Sequence, residues 1–274
     1  MSRVVIILLL FACSVGAQTF STGTIIRSGT FWGGTARVSE ASEPEPPAGQ
    51  APCTNGLVAW YKADTITVGD GNAVSQWDDS SGTGNHIAQS VTARKPTYFA
   101  SVINSLPAVL FNSANSNRLF TATPLGFGSE SGQTIFAVVL VVSNTAGRAF
   151  VNTADTKYLL NFIPSSYEYQ WPYIGGLAVG SEGANGPWTP HVLIGTYDSA
   201  TQNASLYVSM IGTASGVKAG VDATTRISMG AYDADFGLLN AYIAEVLIYD
   251  REVTGNCYTD VRDYLVEKYV PEEN

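Results

Sequence analysis

Apolar residues in this chain come in short runs parted by polar turns, and the runs have the length of strands. Residues 134–142 (TIFAVVLVV) form the most hydrophobic run after residue 17. The run does not alternate, so it is expected to be covered on both faces and to lie centrally in the inner sheet. Residues 57–61 (LVAWY), 105–112 (SLPAVLFN) and 158–163 (YLLNFI) read as further strands. Residues 191–197 (HVLIGTY) and 205–210 (SLYVSM) flank a polar stretch from Asp198 to Asn203, which predicts a hairpin with a polar tip. In its second arm Leu206, Val208 and Met210 are expected to face in, and Ser205, Tyr207 and Ser209 out. Residues 227–230 and 242–249 supply the last two strands. Only then does the period change. Cys257, Val261 and Leu265 recur every four residues after Thr254, which predicts a capped helix to about Tyr269, ended by Pro271.

The first fifty residues obey a different logic. Arg3 and the apolar run from Val4 to Ala12 have the form of a secretory leader, too short to cross a membrane. Val15-Gly16-Ala17 places cleavage after Ala17, so residues 1–17 are expected to be removed. A lipoprotein signal with Cys13 in the box Leu10-Phe11-Ala12-Cys13 is the alternative, and Phe11 fits that box poorly. Residues 18–38 are a Thr/Ser/Gly-rich tail, with Phe20, Ile26 and Trp32 on one side if extended. Such a tail could add to a sheet edge and link copies of the chain into a homo-oligomer; a disordered spacer is the other reading. Residues 39–52 (SEASEPEPPAGQAP) form an extended Pro/Glu-rich linker, and the folded domain is expected over residues 53–271. Cleavage leaves Cys53 and Cys257. Two thiols in a secreted chain suggest one disulfide, and free thiols are the alternative.

Bulk composition narrows the function. Charged residues are 14% and aromatic residues 11%, with a net charge of −9 and a pI of about 4.6. No cluster of Lys and Arg offers a groove for nucleic acid, so that class is set aside. No second apolar stretch has membrane length. An extracellular protein, secreted or at the cell surface, is the expected setting.

The stretch from Gly56 to Gln89 carries a resemblance. The order WYKAD, VSQWDDSSGTGN and then Pro107-Ala108-Val109-Leu110-Phe111 resembles the laminin-G-like, concanavalin A-like jelly-roll modules of secreted and surface proteins. YDSATQNASLYV is similar to their central hairpin, and IAEVLIYDREVTGNCYTDVRDYLVEKY to their closing strand and terminal helix. The likeness spans about residues 54–270. It implies an all-β, antiparallel jelly-roll β-sandwich with a short C-terminal helix. Sandwiches of this kind often bring their termini together, so a Cys53–Cys257 bridge would staple them. For a loop this long, the chain-entropy model gives on the order of 4–5 kcal/mol. The resemblance also implies binding of glycans or extracellular-matrix material, as in lectin-like adhesion, and a rim that often holds calcium.

The chemistry-bearing residues point in several directions. No Glu-x-Asp-x-x-Glu and no Gly-x-Ser-x-Gly elbow is present, and the nearest carboxylate pair, Asp233-Ala234-Asp235, falls in a loop, so no catalytic residue is expected and the protein is read as not an enzyme. His191, opening a strand, is expected at the rim; His86 lies in a polar loop and is expected to be exposed. Asp70, Asp78 and Asp79, with Asp233 and Asp235 in a second acidic loop, are candidate Ca2+ ligands, or ordinary turn formers. Tyr167, Tyr169, Trp171 and Tyr173 occupy every second position and, with Trp188, form a candidate sugar-stacking face, or else an aromatic core face. Trp60 and Trp77 are assigned to the core. Asn203-Ala204-Ser205 is a glycosylation sequon at the hairpin. Non-catalytic glycan binding is the function expected from this reading, with a structural or filament-forming surface protein as the alternative.

Overall fold

The computed structural model describes residues 51–123, 132–142, 149–152, 159–163, 167–171, 177–179, 189–217, 226–231 and 237–270. The chain divides into a unit of residues 1–45 and a unit of residues 46–274. The expected leader and tail, residues 1–38, and most of the expected linker fall outside the described residues.

The described chain forms two antiparallel sheets and one helix, an all-β sandwich. In the first sheet the spatial order is β14 (Gly212–Val217), β13 (Asn203–Val208), β12 (His191–Asp198), β7 (Gln133–Val141), β16 (Ala241–Tyr249), β5 (Leu106–Phe111) and β4 (Thr97–Ile103). Strand β1 (Leu57–Lys62) also belongs to it. It pairs with the later half of β16, while β5 pairs with Ala241, Tyr242 and Ile243. The second sheet runs β11 (Leu177–Val179), β10 (Glu168–Trp171), β9 (Leu159–Ile163), β8 (Ala149–Asn152), β15 (Ser228–Met229), β6 (Leu119–Thr121), β3 (Ile87–Ala88) and β2 (Gln76–Trp77).

Burial follows the pleat. Strand β7 is buried throughout because it serves two cores, which explains its unbroken apolar run. Ile135, Ala137, Val139 and Val141 point between the sheets, beside Trp77, Leu160 and Trp171. Phe136, Val138 and Leu140 point the other way, under helix α1 (Gly255–Tyr269), whose Val261, Leu265 and Tyr269 close over them. Each such side chain contributes roughly 1.5–3 kcal/mol on full burial, so the helix is held by packing. Thr254 does occupy the N-cap position, but its side chain makes no capping hydrogen bond. Trp77 lies in the inter-sheet core and Trp60 in the core beneath the helix.

Two details depart from the alternation expected of the hairpin. Strand β13 stops at Val208, and it gives way to a turn in which Met210 takes φ 64° and is 63% exposed. Met210 therefore does not face in. Ser209 does not face out: it is buried, and its hydroxyl accepts the Val192 amide at 2.9 Å. The turn breaks the period of two that would have carried both residues onward.

Cys53 and Cys257 form a disulfide across 204 residues, with Cα atoms 5.4 Å apart. The bridge ties the chain just before β1 to the first turn of α1. Among the described residues no helix is long and apolar enough to cross a membrane.

Candidate functional site

Strand β10 decides how the aromatic candidates are used. Its residues alternate between the two faces of the second sheet, as predicted, but the rings take the inner face. Tyr169 and Trp171 are 1% and 0% exposed. Trp171 donates its indole N–H to the Thr196 carbonyl at 2.9 Å, and Tyr169 packs against Phe162 and His191. Tyr167 is half-buried against the same core. The expected stacking of sugar on Tyr169 and Trp171 is thereby corrected, because neither ring meets solvent. Tyr173 and Trp188 lie outside the described residues.

The face opposite those rings is mixed, with Gln76, Ser228, Asn152, Asn161, Gln170 and Glu168 set among Ala88, Phe120 and Ala178. With Trp77, Ile87, Leu119, Met229, Leu160, Tyr169 and Trp171 turned inward, the alternate residues of each strand point outward. Strand register joins them into rows. Gln76 pairs with Ala88, Ala88 with Phe120, Phe120 with Ser228, and Ser228 with Asn152. At about 4.8 Å per strand, this row of five strands is about 19 Å long. A second row places Asn161 beside Gln170 and Gln170 beside Ala178, with Glu168 one step along β10. Arg226, exposed just before β15, lies over the Phe120 ring at 5.0 Å. Glu168 is the carboxylate among the described residues of these rows.

Asn161 is the unusual member. It is fully buried, and neither its amide nitrogen nor its amide oxygen has a hydrogen-bond partner. An unmade hydrogen bond on a buried group costs about 1–3 kcal/mol, and native folds keep few of them. Its strand pairs regularly with β10, but its pairing with β8 shifts register between Ala149 and Val151, at the Asn161 position. Sequence reading passed over Asn161 as one residue of a strand. The signal was there: a lone amide between Leu160 and Phe162 has to leave the core on the outer side.

The metal candidates do not come together. Among the described residues no group of three or more His, Cys, Asp or Glu is placed to hold an ion. Asp79 instead organises its own loop. Its carboxylate accepts the amides of Trp60 at 2.8 Å, Ser81 at 2.8 Å and Asn85 at 3.0 Å, and the Ser81 hydroxyl at 2.8 Å. Burial raises its pKa, but these hydrogen bonds together outweigh burial and hold the carboxyl below its ordinary value. Asp78 takes the Gln76 amide at 2.6 Å, and Asp70 takes the Ala100 amide at 2.8 Å. Asp233 and Asp235 lie outside the described residues.

The histidines serve structure. His86 is exposed, and its Nδ1 accepts the Asp79 amide at 3.0 Å. The same nitrogen lies 3.3 Å from the Asp78 carboxylate. His191 is not at the rim. It is 1% exposed, with Nδ1 2.9 Å from the Ser209 carbonyl. Burial lowers its pKa to about 4, with the Ser209 contact opposing in part, so it is neutral at neutral pH.

No protein-family model matches the chain. No curated protein matches it either. Solved structures do. A GH54 α-L-arabinofuranosidase soaked with a cyclic sulfate inhibitor is similar at a TM-score of 0.56 and 10% identity, over 78% of this chain and 59% of that one. Trypanosoma rangeli sialidase in complex with the inhibitor DANA is similar at a TM-score of 0.50 and 13% identity, over 82% of this chain and 35% of that one. The chain thus spans about a third of the sialidase and somewhat over half of the arabinofuranosidase. At these identities the likeness is one of fold, a β-sandwich found in glycosidases, with no specific tie to laminin G. Both of these proteins are glycoside hydrolases, a finding that runs against the expectation of a non-catalytic binding module and of a protein that is not an enzyme.

Proposed function

We propose that this protein is a carbohydrate-processing enzyme acting on glycan chains outside the cell, with the outer face of the second sheet as its substrate-facing surface. The observation that carries the reading is the pair of partly exposed polar residues on the outward side of β10, Gln170 and Glu168, two residues apart and so on one side of the strand. A side-chain amide such as that of Gln170 matches sugar hydroxyls as donor and acceptor at once. Glu168 is the group of this face suited to proton transfer to or from a glycosidic oxygen. A hydrolase of the usual kind pairs two carboxylates, and the second is not supplied by the described rows. The fold likeness to a sialidase and an arabinofuranosidase supports the substrate class. The disulfide and the leader-like N-terminus support an extracellular setting.

Incubating the full-length protein with a panel of polysaccharides and oligosaccharides, arabinans and sialosides included, and measuring released sugar by chromatography tests this. We expect release from at least one substrate. Glu168→Gln should abolish it, and Gln170→Ala should lower kcat/KM by about tenfold, the equivalent of about 1.4 kcal/mol. Circular dichroism should show both variants folded. No released sugar across the panel, or full activity in both variants, defeats the proposal.

A further inference from the structure

The sequon Asn203-Ala204-Ser205 opens strand β13, at the tip of the β12–β13 hairpin. Asn203 is exposed, and its side-chain amide has no hydrogen-bond partner among the described residues. Ala204, Leu206 and Val208 point between the sheets, so Asn203 belongs to the opposite face of the first sheet, away from the surface proposed to meet substrate. In the folded hairpin the Ser205 hydroxyl is engaged with Thr196 Oγ1 at 2.7 Å.

Next to Asn203 lies the least protected edge of the sandwich. Strand β14 pairs with β13 in unbroken register and, among the described strands, with nothing on its other side. Its residues, GTASGV, include no charge and no proline. Folded proteins guard such edges with lysines, prolines, bulges or short strands, because a free ladder invites pairing with another chain. The other edges have such devices: β4 carries a break in register, and β2 and β11 have two and three residues. Val217, 69% exposed, stands directly opposite Asn203. Opposed residues in such a ladder have Cβ atoms about 4.5–5.5 Å apart.

We infer that Asn203 is an N-glycosylation site whose attached glycan covers the free edge at β14. The transfer joins Nδ2 of Asn203 to the anomeric carbon of an oligosaccharide carried on a lipid diphosphate. The anomeric C–O bond breaks, the lipid diphosphate leaves with its electron pair, and Nδ2 loses one proton. Because the folded hairpin engages Ser205, the transfer precedes hairpin closure. The disulfide fits the same oxidising compartment.

The test is secretion of the full chain from a eukaryotic cell line, together with a control protein bearing a known modified sequon. Peptide N-glycosidase should remove mass from wild type and from Ser205→Thr, which keeps the sequon, and should convert Asn203 to aspartate in the peptide map. Asn203→Gln should lose nothing. An unmodified Asn203 peptide beside a modified control overturns the site. The covering role is read on the folded wild type, before and after enzymatic deglycosylation, by light scattering at high concentration. A rise in mass on deglycosylation is expected, and identical masses overturn that role.

Discussion

Trp171 shows how far single residues were legible. The period of two through Tyr167, Tyr169 and Trp171 is real, and the three face the core side of β10. What the sequence does not encode locally is which side of a strand meets the core, since a period of two is satisfied by either face. Here Gly195 on β12 settles it. Any Cβ there would collide with the Trp171 indole, so the glycine leaves the space that the ring fills. The same strand hides His191, whose place at the start of a run suggested the rim. Its burial has a measurable consequence. The ordinary His pKa near 6.5 applies to the unfolded chain, and the folded value is about 4. Between those values the unfolded state binds the extra proton. The stabilisation from keeping His191 neutral is thus complete above pH 6.5 and lost as pH falls toward 4, by about 3 kcal/mol at most. Denaturant midpoints measured across this window should fall with pH in wild type and stay flatter in His191→Leu; parallel profiles would contradict the assignment.

At the scale of elements, helix α1 was readable from its four-residue recurrence, but its anchor was not. Glu245 sits in an apolar run that reads as plain strand. A break in register between Ile243 and Glu245 inserts one residue and puts Ala244 and Glu245 together on the helix side. There Glu245 is fully buried. It accepts Trp60 Nε1 at 2.7 Å, the Tyr264 hydroxyl at 3.0 Å, the Tyr269 hydroxyl at 2.9 Å and Lys268 Nζ at 2.8 Å. Burial alone would lower the pKa of Lys268; the Glu245 carboxylate and the phenols beside it outweigh burial and raise it, so the ammonium stays charged. Lys268 also reaches Asp64 at 3.0 Å, joining helix, β16 and the turn after β1. Lys268→Met keeps the side-chain volume but leaves Glu245 buried without its cation. We expect a loss of about 3–5 kcal/mol in unfolding free energy by urea titration. A loss under about 1 kcal/mol would mean that the phenols and indole suffice.

At the scale of the molecule, the two-sheet architecture was legible because turns and apolar runs repeat along the whole chain, whereas the candidate face was not. Its rows are assembled from eight strands, β2, β3, β6, β15, β8, β9, β10 and β11, of which β15 alone stands out of chain order, and the register that aligns them across the sheet is not written in any one strand. The disulfide, by contrast, came from counting thiols. Its closure of 204 residues matters for more than the unfolded chain. A pull between the N-terminal tail and the C-terminus enters at Cys53, crosses at once to Cys257 and leaves through α1. The tension bypasses both sheets. Single-molecule stretching of the oxidised protein should therefore extend only the helix and the two chain ends. Reduction should release a further length of about 700 Å, at roughly 3.4 Å for each of the 204 residues between the thiols. Equal extensions with and without reductant would show that the bridge does not carry the load. Carrying it, the bridge makes the sandwich a mechanically silent link, able to keep its outer face in shape while the chain on either side is under strain.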